Sequence, residues 1–256
     1  MRRDTFILCH KARHGHLGSA FSMVDVLVAL YHNFLRVDPK HPDDPKRDRF
    51  ILSKGHGCES LYVALAHKGF FSEKDLNTFL KDGTIFAGHT NHAVPGVELS
   101  TGSLGHGLPV AVGMAYAAKL SGGTYRMVVM LSDGECDEGA VWEAALAARQ
   151  HKLDNLLAIV DYNKIQGFGR TKDVLDLEPF AQKWEAFGWN VKEIDGHNMI
   201  EIMETLKKIP FEAGKPSVIL AHTVKGKGVS FMEDTIDWHY WTPTDEHLAQ
   251  AMTELA

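Results

Sequence analysis

Between Tyr125 and His222, four short apolar runs alternate with three amphipathic stretches, and this alternation restricts the fold more than any other feature. Residues 126–131 (RMVVML), 156–161 (LLAIVD), 190–194 (NVKEI) and 217–222 (SVILAH) have the length and β-branched content of strands. Residues 139–150, 180–187 and 199–209 carry apolar side chains at helical spacing. Strand–helix–strand order needs crossover connections, so the strands are parallel, and runs as apolar as RMVVML suit a sheet covered on both faces. The expected fold is α/β: a doubly wound, mostly parallel sheet with helices on both faces. One domain is expected to span residues 1–256, because no linker, repeat or low-complexity segment interrupts the pattern.

The first half reads as helices separated by glycine–histidine loops. Ser22 and Asp25 suggest a capping box, with Met23, Val26, Leu27 and Leu30 on one face of a helix running to about Asn33. The Pro- and Asp-rich segment 37–48 is a surface loop, after which apolar pattern resumes with FILS. A second helix covers about Glu59 to His67, Ser72 and Asp75 cap a third, and residues 107–120 form a fourth built largely of Gly and Ala. Such a helix permits close approach, either inside the chain or to another polypeptide.

With Lys+Arg 27 against Asp+Glu 33, the net charge of -6 offers no footprint for a polyanion, so nucleic acid is not expected as a partner. Cys9, Cys58 and Cys136 form neither a CxxC pair nor an even-numbered disulfide framework. A membrane span is not expected either, since no apolar run approaches about 18 residues. These features suit a reduced, cytoplasmic location.

Ligands of open α/β sheets bind beyond the carboxyl ends of the strands. The loops after the first two strands of the alternating half are SDGECDEG and DYNKIQGFG, so Asp133 and Asn163, thirty residues apart, emerge side by side. A carboxylate and an amide carbonyl are hard oxygen donors suited to magnesium, Gly134 admits a phosphate to the backbone, and the next helix offers free amides. A metal-bridged diphosphate is one reading and a plain Asp-Gly turn the other. Neither GxxxxGK[ST] nor GxGxxG between strand and helix is present, which disfavours nucleotide triphosphate and dinucleotide sites. His16, His56, His89, His92, His106 and His197 lie beside or near glycine; without HExxH or helically spaced carboxylates they do not read as a zinc site. Individually each suits a surface or capping role, and together they suit loops lining a polar pocket.

Seven motifs then give the chain a close resemblance to the N-terminal part of transketolase: GHLG, LSKGHG, AGHTN…PGVELSTGSLGHG, SDGECDEGAVWEA, DYNKIQGFG, IDGHN and HTVKGKGVSFME, in the family's order. The resemblance implies a thiamin diphosphate-binding fold and thiamin diphosphate held through Mg2+ (or Ca2+ or Mn2+), with Asp133 and Asn163 as side-chain ligands and Ile165 giving its backbone carbonyl. It places His56 and His239 at the diphosphate end, Gly102 and Leu104 at the aminopyrimidine, and His16, His89 and His239 at the sugar hydroxyls beside the reacting carbon. Glu138 matches a carboxylate linking cofactor sites across a subunit interface. Ser132 replaces the usual glycine of GDG, leucine replaces the proline of GHPG, Tyr240 replaces a glycine, and His106 stands where glutamine is common.

Full-length members add a second module, whose glutamate protonates the aminopyrimidine, and then a third domain. The implied protein is thus the N-terminal subunit of a split transketolase of carbohydrate metabolism, such as the pentose phosphate pathway, transferring a two-carbon ketol unit from a ketose phosphate to an aldose through a cofactor adduct. A C-terminal subunit carrying the pyrimidine-binding module is the expected partner, in a heterotetramer of two plus two chains. The terminal anion could be another acid, such as a sulfonate. The alternatives are a deoxyxylulose phosphate synthase-like enzyme, which shares the KGKG segment, and a catalytically silent thiamin diphosphate-binding regulatory subunit.

Overall fold

A computed structural model describes all 256 residues. Its centre is a five-stranded sheet, parallel throughout, of β1 (Arg49–Leu52), β2 (Met127–Ser132), β3 (Leu156–Tyr162), β4 (Asn190–Asp195) and β5 (Ser217–His222), in the order β1-β2-β3-β5-β4. Alternate side chains of each strand enter different cores. Phe50, Val128, Leu157 and Ile219 join one face with Val26 and Leu27 of α3 (Val24–Ala29), Leu61 of α4 (Cys58–Lys68) and Ile202 of α9 (Met199–Leu206). Ile51, Val129, Ala158 and Val218 join the other with Ala111 of α5 (Gly107–Ser121), Val141 of α6 (Gly139–Gln150) and Trp184 of α8 (Phe180–Ala186). Between α6 and α8 lies the single turn α7 (Thr171–Val174).

The expected doubly covered α/β sheet is therefore present, and all of its strands are parallel. β4 lies at an edge, which explains its mixed rather than apolar composition. β1 contains the FIL of FILS and pairs with β2 in register Phe50↔Val128.

The helix expected to start at Ser22 is a correction. Helical structure begins earlier, with α2 (Leu17–Ser22), breaks at Met23, resumes as α3 and ends in a π turn at Leu30–Phe34. Ser22 caps nothing, because a tertiary acceptor captures its hydroxyl: it donates to Asp161 Oδ2 at 2.6 Å. Asp25 is drawn away likewise, pairing with Arg2 at 2.6 Å and His197 at 2.7 Å. The Ser72–Asp75 capping box does form, over a 3-10 turn (Glu73–Thr78) with no buried residue to extend it. α9 stops at Leu206, short of residue 209, just before Pro210. Two helices were not anticipated, α1 (Arg2–Ala12) and α10 (Asp245–Glu254). They pack together over a third small core of Phe6, Cys9, Leu17, Phe21, Val229, Met232, Trp238 and Ala251.

Candidate functional site

The loops after β2, β3 and β5 leave the same sheet edge, since Ser132 is paired with Asp161 and Tyr162 with His222. Between them and the glycine–histidine loops lies a cavity of about 310 Å³. Asp133, Gly134, Asn163 and Ile165 line it from the strand loops. His16, His56, His89, Gly102, Leu104 and His239 line it from the remaining loops, so ten of the eleven expected site residues converge. Glu138 does not reach the cavity; it stands exposed at the N-terminus of α6, against Gly105. His106 is exposed at the start of α5, and His92 bonds Ser100 at 2.9 Å. His197 is a structural tie: Nδ1 meets Asp25 and Nε2 accepts from the Val224 amide at 2.8 Å, joining the loops after β4 and β5.

Local backbone shapes set these side chains. Asn163 Oδ1 accepts from the Ile165 amide at 3.1 Å across Lys164, whose positive φ of 67° tightens the turn. Asp133 accepts from the Gly134 amide at 2.8 Å and the Lys164 amide at 2.6 Å, which locks the two loops together. His16 has φ 63°, uncommon for a side-chain-bearing residue, and its amide donates to the His239 carbonyl at 3.2 Å. Its ring centroid lies 5.5 Å from His56, 5.9 Å from His89 and 5.3 Å from His239. Gly102, at φ 150°, backs onto His89: a Cβ there would stand 2.8 Å from the ring.

Burial dominates the electrostatics. Desolvation, then the neighbouring His14, depresses His16 to about 4, and desolvation followed by Lys225 depresses His239 to about 3. His56 and His89 are also lowered, chiefly by burial. At neutral pH these rings are uncharged and can each donate and accept a hydrogen bond. Burial, reinforced by Asp161, pushes Asp133 up to about 6.

Sequence reasoning missed the buried cations. Lys225 Nζ donates to the Ile165 carbonyl at 3.0 Å and lies 2.9 Å from His239 Nδ1; desolvation, then Lys54, lowers it to about 8. Lys54, fully buried, pairs with Asp161 and donates to the Ser19 carbonyl at 2.9 Å. Asp161 also accepts from Ser22, Thr223 and Asn163, so it orients the Asn163 amide. The available signals were a lysine flanked by Val and Gly after the last strand and one directly before GHG.

The donor set fits a hard divalent cation and a diphosphate: carboxylate, amide and carbonyl oxygens line one cavity, with a buried ammonium beside them.

Among known protein families, the transketolase thiamine diphosphate binding domain matches residues 5–255. The chain is 46% identical over 255 residues to an apulose-4-phosphate transketolase subunit of Phocaeicola vulgatus, covering 100% of this chain and 91% of the relative. It is 44% identical over 242 residues to a 6-deoxy-6-sulfo-D-fructose transketolase subunit of Clostridium sp., covering 94% and 88%. Among solved structures, transketolase from Campylobacter jejuni superimposes with a TM-score of 0.91 at 30% identity, covering 98% of this chain and 41% of that one.

Proposed function

The chain belongs to the transketolase family, as its thiamine diphosphate-binding N-terminal part, and from that premise we propose that it is one half of a two-chain transketolase acting on an anionic ketose. The observation that carries this reading is the convergence of Asp133, Asn163, Ile165 and Lys225 with His16, His56, His89 and His239 in one cavity. A two-chain form is supported by extent: the chain spans about nine-tenths of the Phocaeicola and Clostridium relatives but about two-fifths of the Campylobacter enzyme. The partner is a chain carrying the pyrimidine-binding module, assembled two plus two. No helix is long and apolar enough to cross a membrane.

In this reading Asp133, Asn163 and the Ile165 carbonyl hold Mg2+, and Lys225 and His56 face the diphosphate. When bound, thiamin diphosphate supplies the electron sink for carbon–carbon cleavage. The chain's own residues bind, orient and move protons. His16, His89 and His239, uncharged at neutral pH, hold substrate hydroxyls as donors or acceptors, and each can accept a proton without first losing one. Gly102 backs onto His89 and, with Leu104, lines the cavity, where a flat ring can lie against the backbone. The Glu138 carboxylate, exposed beside Gly105, is placed for contact with another polypeptide rather than with the cavity.

The terminal anion is a phosphate or a sulfonate, the two chemistries that the relatives' names carry. Purified alone, the chain is expected to bind thiamin diphosphate poorly and to transfer no ketol unit. Adding the partner is expected to restore both. Efficient ketol transfer by the isolated, contaminant-free chain overturns the split-site reading.

A further inference from the structure

Glu59 lies behind the cavity and takes no part in it. It sits in the first turn of α4 with its side chain excluded from solvent. His14 Nε2 lies 2.8 Å from Oε1, at ion-pair distance, although neither atom is settled in a well-formed hydrogen bond. Glu59 Oε2 and the buried Nδ1 of His16 have no partner either. A Glu59 oxygen and one ring nitrogen each from His14 and His16 lie within 4.8 Å of one another. Three neighbouring residues therefore carry buried polar atoms without partners, an arrangement that buried polar groups avoid unless something joins them.

The other donors near the Glu59 carboxyl are its own backbone amide and the weakly donating Cys58 thiol. Burial pushes the Glu59 carboxyl up and His14 opposes it, while the titratable groups facing it are the Cys9 and Cys58 thiols and the Tyr62 phenol, all held neutral by burial. The His14 ring stands edge-on to His16 and to Phe79, each at 5.5 Å, and Gly88 presses on it from behind, where a Cβ would come within 3.0 Å of Cε1. The ring is thereby wedged between Glu59 and the cavity histidines.

We propose that Glu59 is a positioning residue: its carboxylate accepts from the rings of His14 and His16, fixing the His16 proton on Nδ1 and presenting Nε2 to the substrate cavity as an acceptor. This rests on reading that cavity as the substrate site. A carboxylate behind an imidazole sets its tautomer and ring direction in the same way elsewhere in enzyme chemistry. Two histidines and a carboxylate could instead ligate a transition metal. The 2.8 Å contact between His14 and Glu59 favours the proton-shared form, since ligand atoms around a tetrahedral zinc stand about 3.3 Å apart for bonds of about 2.0 Å.

The test reads the histidine rings directly. In 15N spectra of the full wild-type chain near pH 7, assigned with His16→Gln and His14→Gln, His16 is expected as a single neutral tautomer protonated at Nδ1. In Glu59→Gln it is expected to become a mixture with an unchanged backbone amide spectrum, and Glu59→Asp should restore part of the original population. In the two-chain enzyme, Glu59→Gln should lower kcat about tenfold or more, with KM within about twofold and thiamin diphosphate affinity unchanged. A His16 protonated at Nε2 in the wild type, or a tautomer indifferent to Glu59→Gln, overturns the proposal whether or not the complex turns over. So does one equivalent of transition metal carried by the wild-type chain and absent from Glu59→Gln. If the spectra are as expected but the wild-type complex transfers no ketol unit, the positioning role stands and the proposed function fails.

Discussion

Asp161→Asn is expected to be among the most damaging conservative substitutions in the chain. Asp161 and Lys54 are 1% and 0% exposed, so the ammonium has no route to solvent once its counter-charge is removed. Desolvation pushes the Asp161 carboxyl up, but the attraction of Lys54 and the hydroxyls of Ser22 and Thr223 outweigh it, and the group remains ionised. Removing one member of such a buried pair costs about 3–5 kcal/mol, against a total stability of about 5–15 kcal/mol. The new amide also turns a donor toward Lys54, Ser22 or Thr223, which are all donors to this side chain. Guanidinium denaturation followed by circular dichroism and tryptophan fluorescence should show the loss as a shifted midpoint with the two transitions coincident. Pairing Asp161→Asn with Lys54→Met removes the stranded cation and should recover at least half of it. Metal-dependent binding should stay impaired in both variants, because the side chain that orients the Asn163 amide then offers one neutral acceptor oxygen in place of a carboxylate. A single-variant loss below about 1 kcal/mol, or no recovery in the double variant, would refute this reasoning.

Asp133→Ala should abolish most Mg2+-dependent thiamin diphosphate binding in the presence of the partner while circular dichroism remains native; unchanged affinity by calorimetry would remove Asp133 from the metal site. His89→Ala should lower kcat by about 10²-fold or more with little change in denaturation midpoint, the scale of a lost proton-transfer or donor group; activity within about twofold of wild type would return His89 to the role of a surface residue. The depressed site histidines also predict a pH response. An unfolded histidine takes its proton near pH 6.5, whereas folded His16 and His239 refuse it until about 4 and about 3, so their stabilisation is complete above pH 6.5 and drains away as pH falls toward 4. The loss is below about 1.4 kcal/mol per pH unit for each, because both rings are partly exposed. Asp133, raised to about 6, acts in the opposite sense below that pH. Comparing wild type with His16→Gln/His239→Gln at pH 7.5 and 5.0 separates the contributions: wild type should lose ground relative to the variant at pH 5.0, and parallel midpoints would disprove it.

How far the sequence was legible follows from what each signal depends on. β2, β3 and β5 are doubly covered, so their apolar runs announce them, and Asp133 and Asn163 could be placed together because consecutive βαβ strands lie side by side. β5 inserts between β3 and β4, a permutation that leaves no trace in periodicity; this insertion brings Thr223 to Asp161 and opens the way for Lys225 to the cavity. Ser22 followed by Asp25 has the spacing of a cap, yet Asp161, well over a hundred residues away, competes for the hydroxyl and wins. Of the glycine-flanked histidines, His16, His56 and His89 reach the cavity whereas His106 and His197 do not, and nothing in their immediate neighbours distinguishes the two groups. The roles of His14 and Glu59 depend on two segments meeting behind the site, which no local pattern encodes.

The eight-residue core joining α1 and α10 has a consequence for how the site is held open or shut in time. It carries the loops that present His16 and His239, through Leu17 and Trp238, and it is far smaller than the 28- and 24-residue cores flanking the sheet. Local opening free energies scale with such packing, so this corner is the unit expected to detach first in subglobal unfolding, leaving the sheet and its Asp133–Asn163 corner folded. Amide exchange would then be fastest in α1, α10 and the His239 loop, and nicking by proteases would concentrate there. Any ligand gripped by those histidines binds only the closed corner, so by mass action its binding raises the opening free energy of α1, α10 and the His239 loop before that of the sheet.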